Sequence, residues 1–249
     1  MAQSQTLSKA LDILNALGKS DKYLSVEEIA AILDAPESTT YRLLQTLETK
    51  GFILRYSRKK IGLGSNFINL ARNLYERLDR ELALISMPYL TDLCEKTKET
   101  TILSVRAGLD SKCIKSVSSK YIIRFVSEEN RLLKLNIGAS SKAILAYEDP
   151  KIVNLVMNTL ESEAEKDVLR TALEEIKGQG YAVSCNEYDI SALGLGVPVF
   201  NSFGKIYASI AIVGPESRVR PEHYEGYIKI LKNASEEITE KLKFDEKQE

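Results

Sequence analysis

The chain has 249 residues, of which 44% are hydrophobic and 28% charged, with a formal net charge of −1, as is typical of a globular protein with one large domain or two smaller ones. No apolar run reaches the ~18–20 residues that a membrane helix needs, and the first ten residues lack the apolar core of an export signal. Cys94, Cys113 and Cys185 are odd in number and widely spaced, so they fit neither a disulfide framework nor a paired metal site. We expect a cytoplasmic protein with no metal and no other cofactor.

Positive charge is concentrated in one short segment near the N-terminus. Residues 1–66 carry nine Lys or Arg against seven Asp or Glu, a balance of +2, whereas the other 183 residues carry 25 against 28, a balance of −3. Five of the nine lie within an eleven-residue stretch without an acid, at Lys50, Arg55, Arg58, Lys59 and Lys60. Such a local cluster suits contact with phosphate better than long-range attraction by the whole chain.

Two short helices are predicted at the start of the chain. An apolar stripe of helical spacing continues as far as Gly18, which is expected to end the first helix. Ser25 begins the second helix with a capping box, because Glu28 lies three residues further on. Leu24 and Ile29 flank this cap and predict a hydrophobic staple.

The third predicted helix has a polar outer face and is followed by a basic hairpin. Pro36 suits its first turn, where a missing N–H costs nothing, and Gly51 suits its C-terminal end. Its buried side is predicted to consist of Thr40, Leu43, Leu44 and Leu47. Residues 52–55 and 61–63 predict two strands, with 56–60 between them. Two short helices followed by such a hairpin are the pattern of a winged helix-turn-helix.

The rest of the chain predicts a long helix and then an α+β domain. The helix begins at Ser65, has one apolar stripe from Phe67 to Ile85, and is expected to be interrupted at Pro88. Beyond it, strands are predicted at 100–108, 112–119, 121–127, 192–200 and 205–214, and helices near 140–147, 151–160, 165–177 and 221–242. This order favours a mainly antiparallel sheet flanked by helices.

The chain resembles the IclR family of bacterial regulators over nearly its whole length. The motifs that carry the resemblance are LSVEEIAAIL, STTYRLLQTLETKGFILR and IGLG in the N-terminal part, and GASSKAILA, GYAVSCNEY and GVPVFNSFGKI in the C-terminal part. Several motifs in one order are more specific than any single motif. The resemblance implies a winged helix-turn-helix domain at 1–66, a linker helix at 67–85 and a GAF-like effector-binding domain at 86–249. It also implies homodimers or homotetramers that bind double-stranded operator DNA, most often as repressors, under the control of a small metabolite.

The candidate DNA contacts lie on the outer side of the third helix and on the hairpin. They are Ser38, Thr39, Tyr41, Arg42 and Gln45 on the helix, and Arg58, Lys59 and Lys60 on the hairpin. In a major groove, Arg42 could bond to guanine and Gln45 to adenine, while the hairpin would contact the phosphate backbone or the minor groove. The alternatives are a solvated helix face and a charged hairpin tip that keeps a sheet edge soluble. Glu37 departs from the family pattern, which often has a basic residue there.

The candidate effector site begins at residues 138–141, where a helix N-terminus could hold a carboxylate; a plain helix start is the alternative. By resemblance, the effector-lining positions are Ile122, Ala139, Ser140, Ser184, Gly194, Ala211 and Val213. Arg124 is a candidate to neutralise an anionic ligand, unless it pairs with a surface acid. Family members that bind short oxo-acids tend to have acidic or small polar groups and a cysteine at several of these positions. We therefore expect a larger or less polar ligand, either a carboxylate or a sugar-derived metabolite.

An enzyme and a protein-interaction module are the alternative functions. The single histidine, His223, lies outside the candidate pocket, and the sequence has no nucleophile elbow, P-loop or dinucleotide-binding motif. We therefore expect no catalytic residues. A winged helix that binds protein would fit Glu37 and the low net charge, whereas the basic hairpin favours DNA.

Overall fold

The structure, a computed structural model, describes residues 4–245. The chain divides into two compact units, Met1–Arg77 and Leu78–Glu249. The finer division into 1–66, 67–85 and 86–249 stays a prediction. Within the described range, every helix is too short or too polar to cross a membrane, and no three His, Cys, Asp or Glu side chains lie close enough together to hold a metal ion.

The N-terminal unit consists of three helices and a hairpin. The helices are α1 (Gln5–Lys19), α2 (Val26–Ile32) and α3 (Glu37–Thr49), and the antiparallel strands are β1 (Ile53–Ser57) and β2 (Lys60–Leu63). Leu24 adds an isolated bridge to Ile61. One apolar core joins these elements and contains Ile13, Leu17, Leu24, Val26, Ile29, Leu33, Leu43, Leu44, Ile53 and Ile61. This arrangement is the predicted winged helix-turn-helix.

The local signals at the helix ends are largely confirmed. Ser25 Oγ accepts a hydrogen bond from the Glu28 N–H at 3.2 Å, and Glu28 Oε2 accepts one from the Ser25 N–H at 2.8 Å, so the capping box is complete. Gly51 has a φ of +73° at the end of α3. Two boundaries differ: α1 continues through Gly18 to Lys19, and Pro36 is the N-cap of α3 rather than its first helical residue.

Helix α4 (Asn66–Thr97) is a single helix that continues through Pro88. The predicted interruption at this residue is therefore wrong. A proline inside a helix removes one hydrogen bond and crowds the preceding turn, at a cost of about 3 kcal/mol. Leu82, Leu90 and Leu93 on either side of it are buried in the core of the C-terminal unit. Burial of these side chains contributes about 1.5–3 kcal/mol each, so packing offsets the cost.

The C-terminal unit is built on one antiparallel sheet. Its strands are β3 (Thr100–Ala107), β4 (Asp110–Val117), β5 (Leu132–Lys134), β6 (Ala182–Cys185), β7 (Ala192–Phe200) and β8 (Ile206–Pro215), in the order β5-β4-β3-β8-β7-β6. All neighbouring strands are antiparallel. The α+β class with helices flanking an antiparallel sheet is confirmed.

The two faces of the sheet carry different side chains. Bulky residues such as Leu103, Leu195 and Ile210 face the second half of α4 and helix α8 (Pro221–Asp245), where they form the main core. The alternate residues on the other face are small. Helices α5 (Ala139–Leu145), α6 (Pro150–Met157) and α7 (Glu163–Gln179) lie on that side and form a second core with Leu135 and Ala182.

One predicted strand is absent and two short ones were missed. Residues 121–127 form no strand, because the carbonyls of Ile123 and Phe125 accept hydrogen bonds from the side chains of Arg218 and Thr100 instead of from a neighbouring strand. The edge position beside β4 is taken by β5, which has only three residues. Strand β6 is equally hard to predict, since it is only four residues long.

A substitution at Gly196 tests how closely α5 approaches the sheet. An added Cβ would lie 2.8 Å from the backbone C and O of Ala139, so we expect Gly196→Ala to destabilise the C-terminal unit by about 1–3 kcal/mol in urea denaturation. The control is Gly178→Ala in α7, where a Cβ would meet nothing within 4 Å. That change should stabilise by about 0.5–1 kcal/mol. If the two variants unfold at the same urea concentration, the close approach of α5 to β7 is contradicted.

Candidate DNA-binding surface and effector cavity

The outer face of α3 is open to solvent in the N-terminal unit. Ser38, Thr39, Tyr41, Arg42 and Gln45 are all exposed, as the helical spacing predicted. Their side chains alternate with the buried Thr40, Leu43 and Leu44, which fix the rotation of the helix about its axis. Within residues 4–245 the Arg42 side chain has no ion-pair partner, so its guanidinium is available to an outside acceptor.

Arg55 orients Tyr41, one of the exposed residues on the outer face of α3. Its Nη2 lies 2.7 Å from Glu48 Oε2, and its guanidinium lies 4.6 Å from the centre of the Tyr41 ring. Only 17% of the Arg55 side chain is exposed. Arg55 therefore ties β1 to α3 and orients Tyr41. It belongs to the basic stretch of the sequence, but it is not available to bind phosphate as the hairpin cations are.

The hairpin tip is held against the start of α2. The Val26 N–H donates to the Arg58 carbonyl at 3.0 Å, while the side chains of Arg58, Lys59 and Lys60 remain exposed. Glu27 lies beside this tip. Hydrogen bonds from its own backbone N–H and from Ser25, together with the charges of Arg58 and Lys59, lower the pKa of the Glu27 carboxyl. Part of the positive charge at the tip is thus balanced within the unit.

A cavity of about 70 Å³ lies between the N-terminal end of α5 and the small-residue face of the sheet. This is room for about five water molecules. Its hydroxyl-bearing wall consists of Ser104, Ser111, Ser127, Ser140, Ser141 and Ser184. Gly194 completes the wall, because a Cβ there would lie 2.9 Å from Ser184 Oγ and 3.4 Å from Ala139 Cβ. The lining therefore has more hydroxyl groups than the sequence indicated, although those of Ser111, Ser140 and Ser141 bond within the chain, and the space is small for the larger ligand that we expected.

The start of α5 is already occupied by groups of the chain itself. Ser140 and Ser209 share a hydrogen bond of 2.6 Å between their hydroxyls, as do Ser111 and Ser141. Just outside this end, Glu187 accepts from the Gly138 N–H at 2.9 Å and from Lys142 Nζ at 2.5 Å. An internal carboxylate thus stands where the sequence suggested a ligand carboxylate.

Aromatic and cationic groups form the mouth of the cavity. Phe125 and Tyr188 meet edge to face with ring centres 5.5 Å apart, and the Arg131 guanidinium lies 5.0 Å from the centre of the Tyr188 ring. Arg131 is exposed and makes no salt bridge within the described part of the chain. It is the cationic side chain on the cavity lining.

The structure brings together most of the effector positions named from the sequence. Ala139, Ser140, Ser184, Gly194 and Val213 line the cavity.

Three others lie off the lining. Ala211 is buried in a small cluster with Ile102 and Cys113, Ile122 is 95% exposed, and Arg124 donates to the carbonyls of Tyr121 and Ile122. Sequence reasoning missed Arg131, Phe125 and Tyr188. Tyr188 ends the motif GYAVSCNEY, but nothing in that motif marks it as a lining residue, and Arg131 and Phe125 belong to none of the motifs.

Cys113 lies in the cavity wall and is protected there. Its side chain is buried, its Sγ lies 3.4 Å from the Lys115 carbonyl, and Ser127 also lines the cavity. Burial raises the pKa of the Cys113 thiol. The cysteine is therefore mostly protonated at neutral pH and reacts slowly with electrophiles.

The family follows from matches that cover both units. Residues 78–240 match the family described as bacterial transcriptional regulator IclR C-terminal, and residues 6–55 match the IclR helix-turn-helix domain. The chain belongs to the IclR family. The predictions of an IclR regulator and of its fold are thereby confirmed. As the family consists of transcription regulators, this chain is a DNA-binding regulator with a C-terminal effector domain and not an enzyme.

Relatives of this IclR regulator cover it almost end to end. The HTH-type transcriptional repressor AllR of Klebsiella pneumoniae is 27% identical over 250 residues, covering 96% of this chain and 90% of the repressor. The crystal structure of the Thermotoga maritima IclR is 31% identical, with a TM-score of 0.62 over 96% of this chain and 98% of that chain. An IclR homologue from Microbacterium hydrocarbonoxydans, crystallised with 4-hydroxybenzoate, is 20% identical, with a TM-score of 0.61 over 95% and 98% of the two chains.

The three thiols should react with iodoacetamide in an order set by burial. Cys185 is exposed, whereas Cys94 and Cys113 are buried, so we expect Cys185 to be alkylated first when modification is followed by peptide mass spectrometry. Because burial raises the pKa of the Cys113 thiol, its rate should still increase as the pH rises above the range in which an exposed thiol ionises. Alkylation of Cys113 as fast as that of Cys185 would contradict the closed cavity.

Proposed function

We propose that this IclR regulator represses transcription by inserting the outer face of α3 into the major groove of an operator while the tip of the β1–β2 hairpin contacts the adjacent backbone. The observation that carries the proposal is the exposed polar face of α3, with Arg42 unpaired in the described range and the basic hairpin tip held to the same domain. Repression is supported by the AllR repressors among the relatives. A regulator that acts on operator DNA would work in the cytoplasm, which is the location that we propose.

Base recognition on this proposal is divided among three side chains. Arg42 donates two hydrogen bonds to guanine O6 and N7, and Gln45 makes the corresponding pair with adenine. Glu37, exposed at the first turn of α3, accepts from the amino group of cytosine. Ser38, Thr39 and Tyr41 contact base edges or phosphates, and Arg58, Lys59 and Lys60 contact phosphates, which set affinity and register rather than sequence.

Homodimers or homotetramers are the proposed assembly. The first half of α4 carries large exposed apolar side chains at Ile68, Leu70, Leu74 and Tyr75, and α1 carries Leu7 and Leu11. Exposed apolar residues concentrated on two helices are typical of an association surface. Two copies would present two copies of α3 to two operator half-sites.

Substitutions on α3 and on the hairpin should affect binding differently. With an operator selected from a random duplex pool, we expect Arg42→Ala to cost about 1–3 kcal/mol and to relax the preference at one base position. Lys59→Ala should weaken binding to all duplexes evenly and reduce the slope of log K against log salt by about 1. The measurement is a gel shift over a series of salt concentrations.

The charge-matched control is Lys19→Ala, on the last turn of α1 and exposed. It should leave operator affinity and salt slope unchanged. If Arg42→Ala and Lys59→Ala both bind every duplex as the wild type does, the assignment of this surface is contradicted.

For the effector we propose a small carboxylate held in the cavity at α5. Its carboxylate pairs with Arg131 at the mouth, and its remainder contacts the serine hydroxyls of Ser140 and Ser184 beside Gly194 and Val213. An exposed guanidinium without an ion-pair partner in residues 4–245, next to a hydroxyl-lined space, supports this class of ligand. The 4-hydroxybenzoate bound by the Microbacterium homologue is a carboxylate as well.

Thermal shift with pyruvate, glyoxylate, benzoate and 4-hydroxybenzoate tests the ligand class. A carboxylate present at 100 times its dissociation constant stabilises the protein by ~2.7 kcal/mol. We expect Arg131→Gln to weaken its binding by about 1.5–3 kcal/mol, the usual contribution of a hydrogen bond to a charged group. Arg124→Gln is the matched control and should bind as the wild type does. If Arg124→Gln weakens binding more than Arg131→Gln does, the anion is assigned to Arg124. If none of these acids raises the melting temperature, the carboxylate proposal is contradicted.

A further inference from the structure

One long loop, residues 118–131, closes the cavity and is here called the mouth loop. It joins the end of β4 to the start of β5 and brings Phe125, Ser127 and Arg131 to the cavity lining. Ile122 and Ile123 are 95% and 75% exposed and do not anchor it, whereas Phe125 packs against Tyr188. At the C-terminal end of the loop, the Cys113 N–H donates to the Arg131 carbonyl at 3.1 Å and the Asn130 N–H donates to the Cys113 carbonyl at 2.7 Å. The rest of the loop, residues 118–127, therefore depends on further polar contacts to hold it in place.

Thr100 provides the first of these contacts, just after the C-terminal end of α4. Its side chain is fully buried. The Thr100 hydroxyl donates to the Phe125 carbonyl at 2.6 Å and accepts from the Ser119 N–H at 3.1 Å. The Ser119 hydroxyl in turn donates to the Lys98 carbonyl at 2.5 Å. Two points of the mouth loop, six residues apart, are thus fastened to the same buried hydroxyl.

A buried ion pair provides the second contact. Glu99 is 2% exposed, and Arg218 binds it with two nitrogens, Nε at 2.5 Å and Nη2 at 2.8 Å. The same Nη2 donates to the Ile123 carbonyl at 3.0 Å, and the guanidinium lies 4.6 Å from the centre of the Tyr121 ring. The space for this carboxylate exists because strand β8 has Gly214, where a Cβ would lie 2.4 Å from Glu99 Oε2.

We propose that Glu99, Thr100 and Arg218 are positioning residues that hold the mouth loop over the effector cavity and so make access to the cavity depend on the end of α4. Removal of one partner from a buried ion pair leaves the other charge without compensation. Arg218 then no longer has a fixed position from which to bind Ile123, and Phe125 and Ser127 lose their places on the lining. The proposal rests on the proposed function only in taking this cavity as the effector site.

Cys113 supplies a reporter for the mouth loop that requires neither DNA nor an effector. The Cys113 side chain is buried in the cavity wall that Ser127 of this loop also lines, so displacement of the loop exposes the thiol to iodoacetamide, which alkylates the thiolate and releases iodide. The rate at Cys113 is measured by peptide mass spectrometry on the full chain, with the exposed Cys185 as an internal reference. A failure to bind operator would contradict the proposed function and leave this measurement unaffected.

Two pairs of variants give the decisive comparison. Thr100→Val loses the hydroxyl and Thr100→Ser keeps it. Glu99→Gln breaks the Arg218 ion pair, and Glu148→Gln breaks a comparable pair with Arg106, at 2.8 Å, that does not touch the mouth loop. We expect Thr100→Val and Glu99→Gln to accelerate alkylation of Cys113 by about tenfold or more through local opening. Thr100→Ser and Glu148→Gln should react as the wild type does.

A double variant tests whether Glu99 and Arg218 act together. If they hold the loop as a pair, Glu99→Gln combined with Arg218→Gln accelerates Cys113 no more than the faster single change does. The proposal is overturned if Thr100→Val and Thr100→Ser alkylate at the same rate, or if Glu148→Gln accelerates Cys113 as much as Glu99→Gln does. If Glu99→Gln fails to fold, the two Thr100 variants decide alone.

Discussion

The close approach of α5 to β7 is the contact on which the C-terminal unit depends. Gly194 and Gly196 leave no side chain between the first turn of α5 and the strand, so backbone and hydroxyl groups meet where bulky residues would otherwise pack. The opposite face of the same strands carries the large aliphatic side chains of the main core. One face of the sheet therefore packs in the main core, and the other leaves a small cavity with a mostly apolar lining, because alternate strand residues point to opposite sides.

In the N-terminal unit, short polar links keep α3 and the hairpin in one arrangement. The Val26 N–H binds the hairpin tip through the Arg58 carbonyl, and Arg55 joins β1 to Tyr41 and Glu48 on α3. The two elements thus form one surface even though the hairpin has only two strands. A chain with a net charge of −1 can therefore present a local cationic site, because these contacts hold the cationic side chains of the hairpin next to α3.

On the proposed function, the cavity and the outer face of α3 influence one another, and thermodynamic linkage makes that influence reciprocal. A ligand that weakens operator binding by a given factor is itself bound more weakly, by the same factor, when operator is present. The structure offers a physical element for such coupling, because Glu99 and Thr100, two of the three residues that fasten the mouth loop, lie just after the last turn of α4. A buried ion pair suits such a role, since it loses most of its stabilisation when its geometry is disturbed.

The sequence by itself determines the winged helix-turn-helix and its exposed face, because the signals are local: the Ser25 capping box and the spacing of apolar residues on α3 both lie within a few turns. It also identifies part of the cavity wall: residues 138–141 through the motif at α5, and Ser184, Gly194 and Val213 through the family resemblance. Only the tertiary structure decides which arginine of the mouth loop reaches the cavity. Arg124 and Arg131 lie in one irregular segment without periodicity, and that segment is held by Thr100 and Arg218, residues 25 and 95 positions away from the carbonyls they bind. No local pattern encodes contacts of that sequence separation.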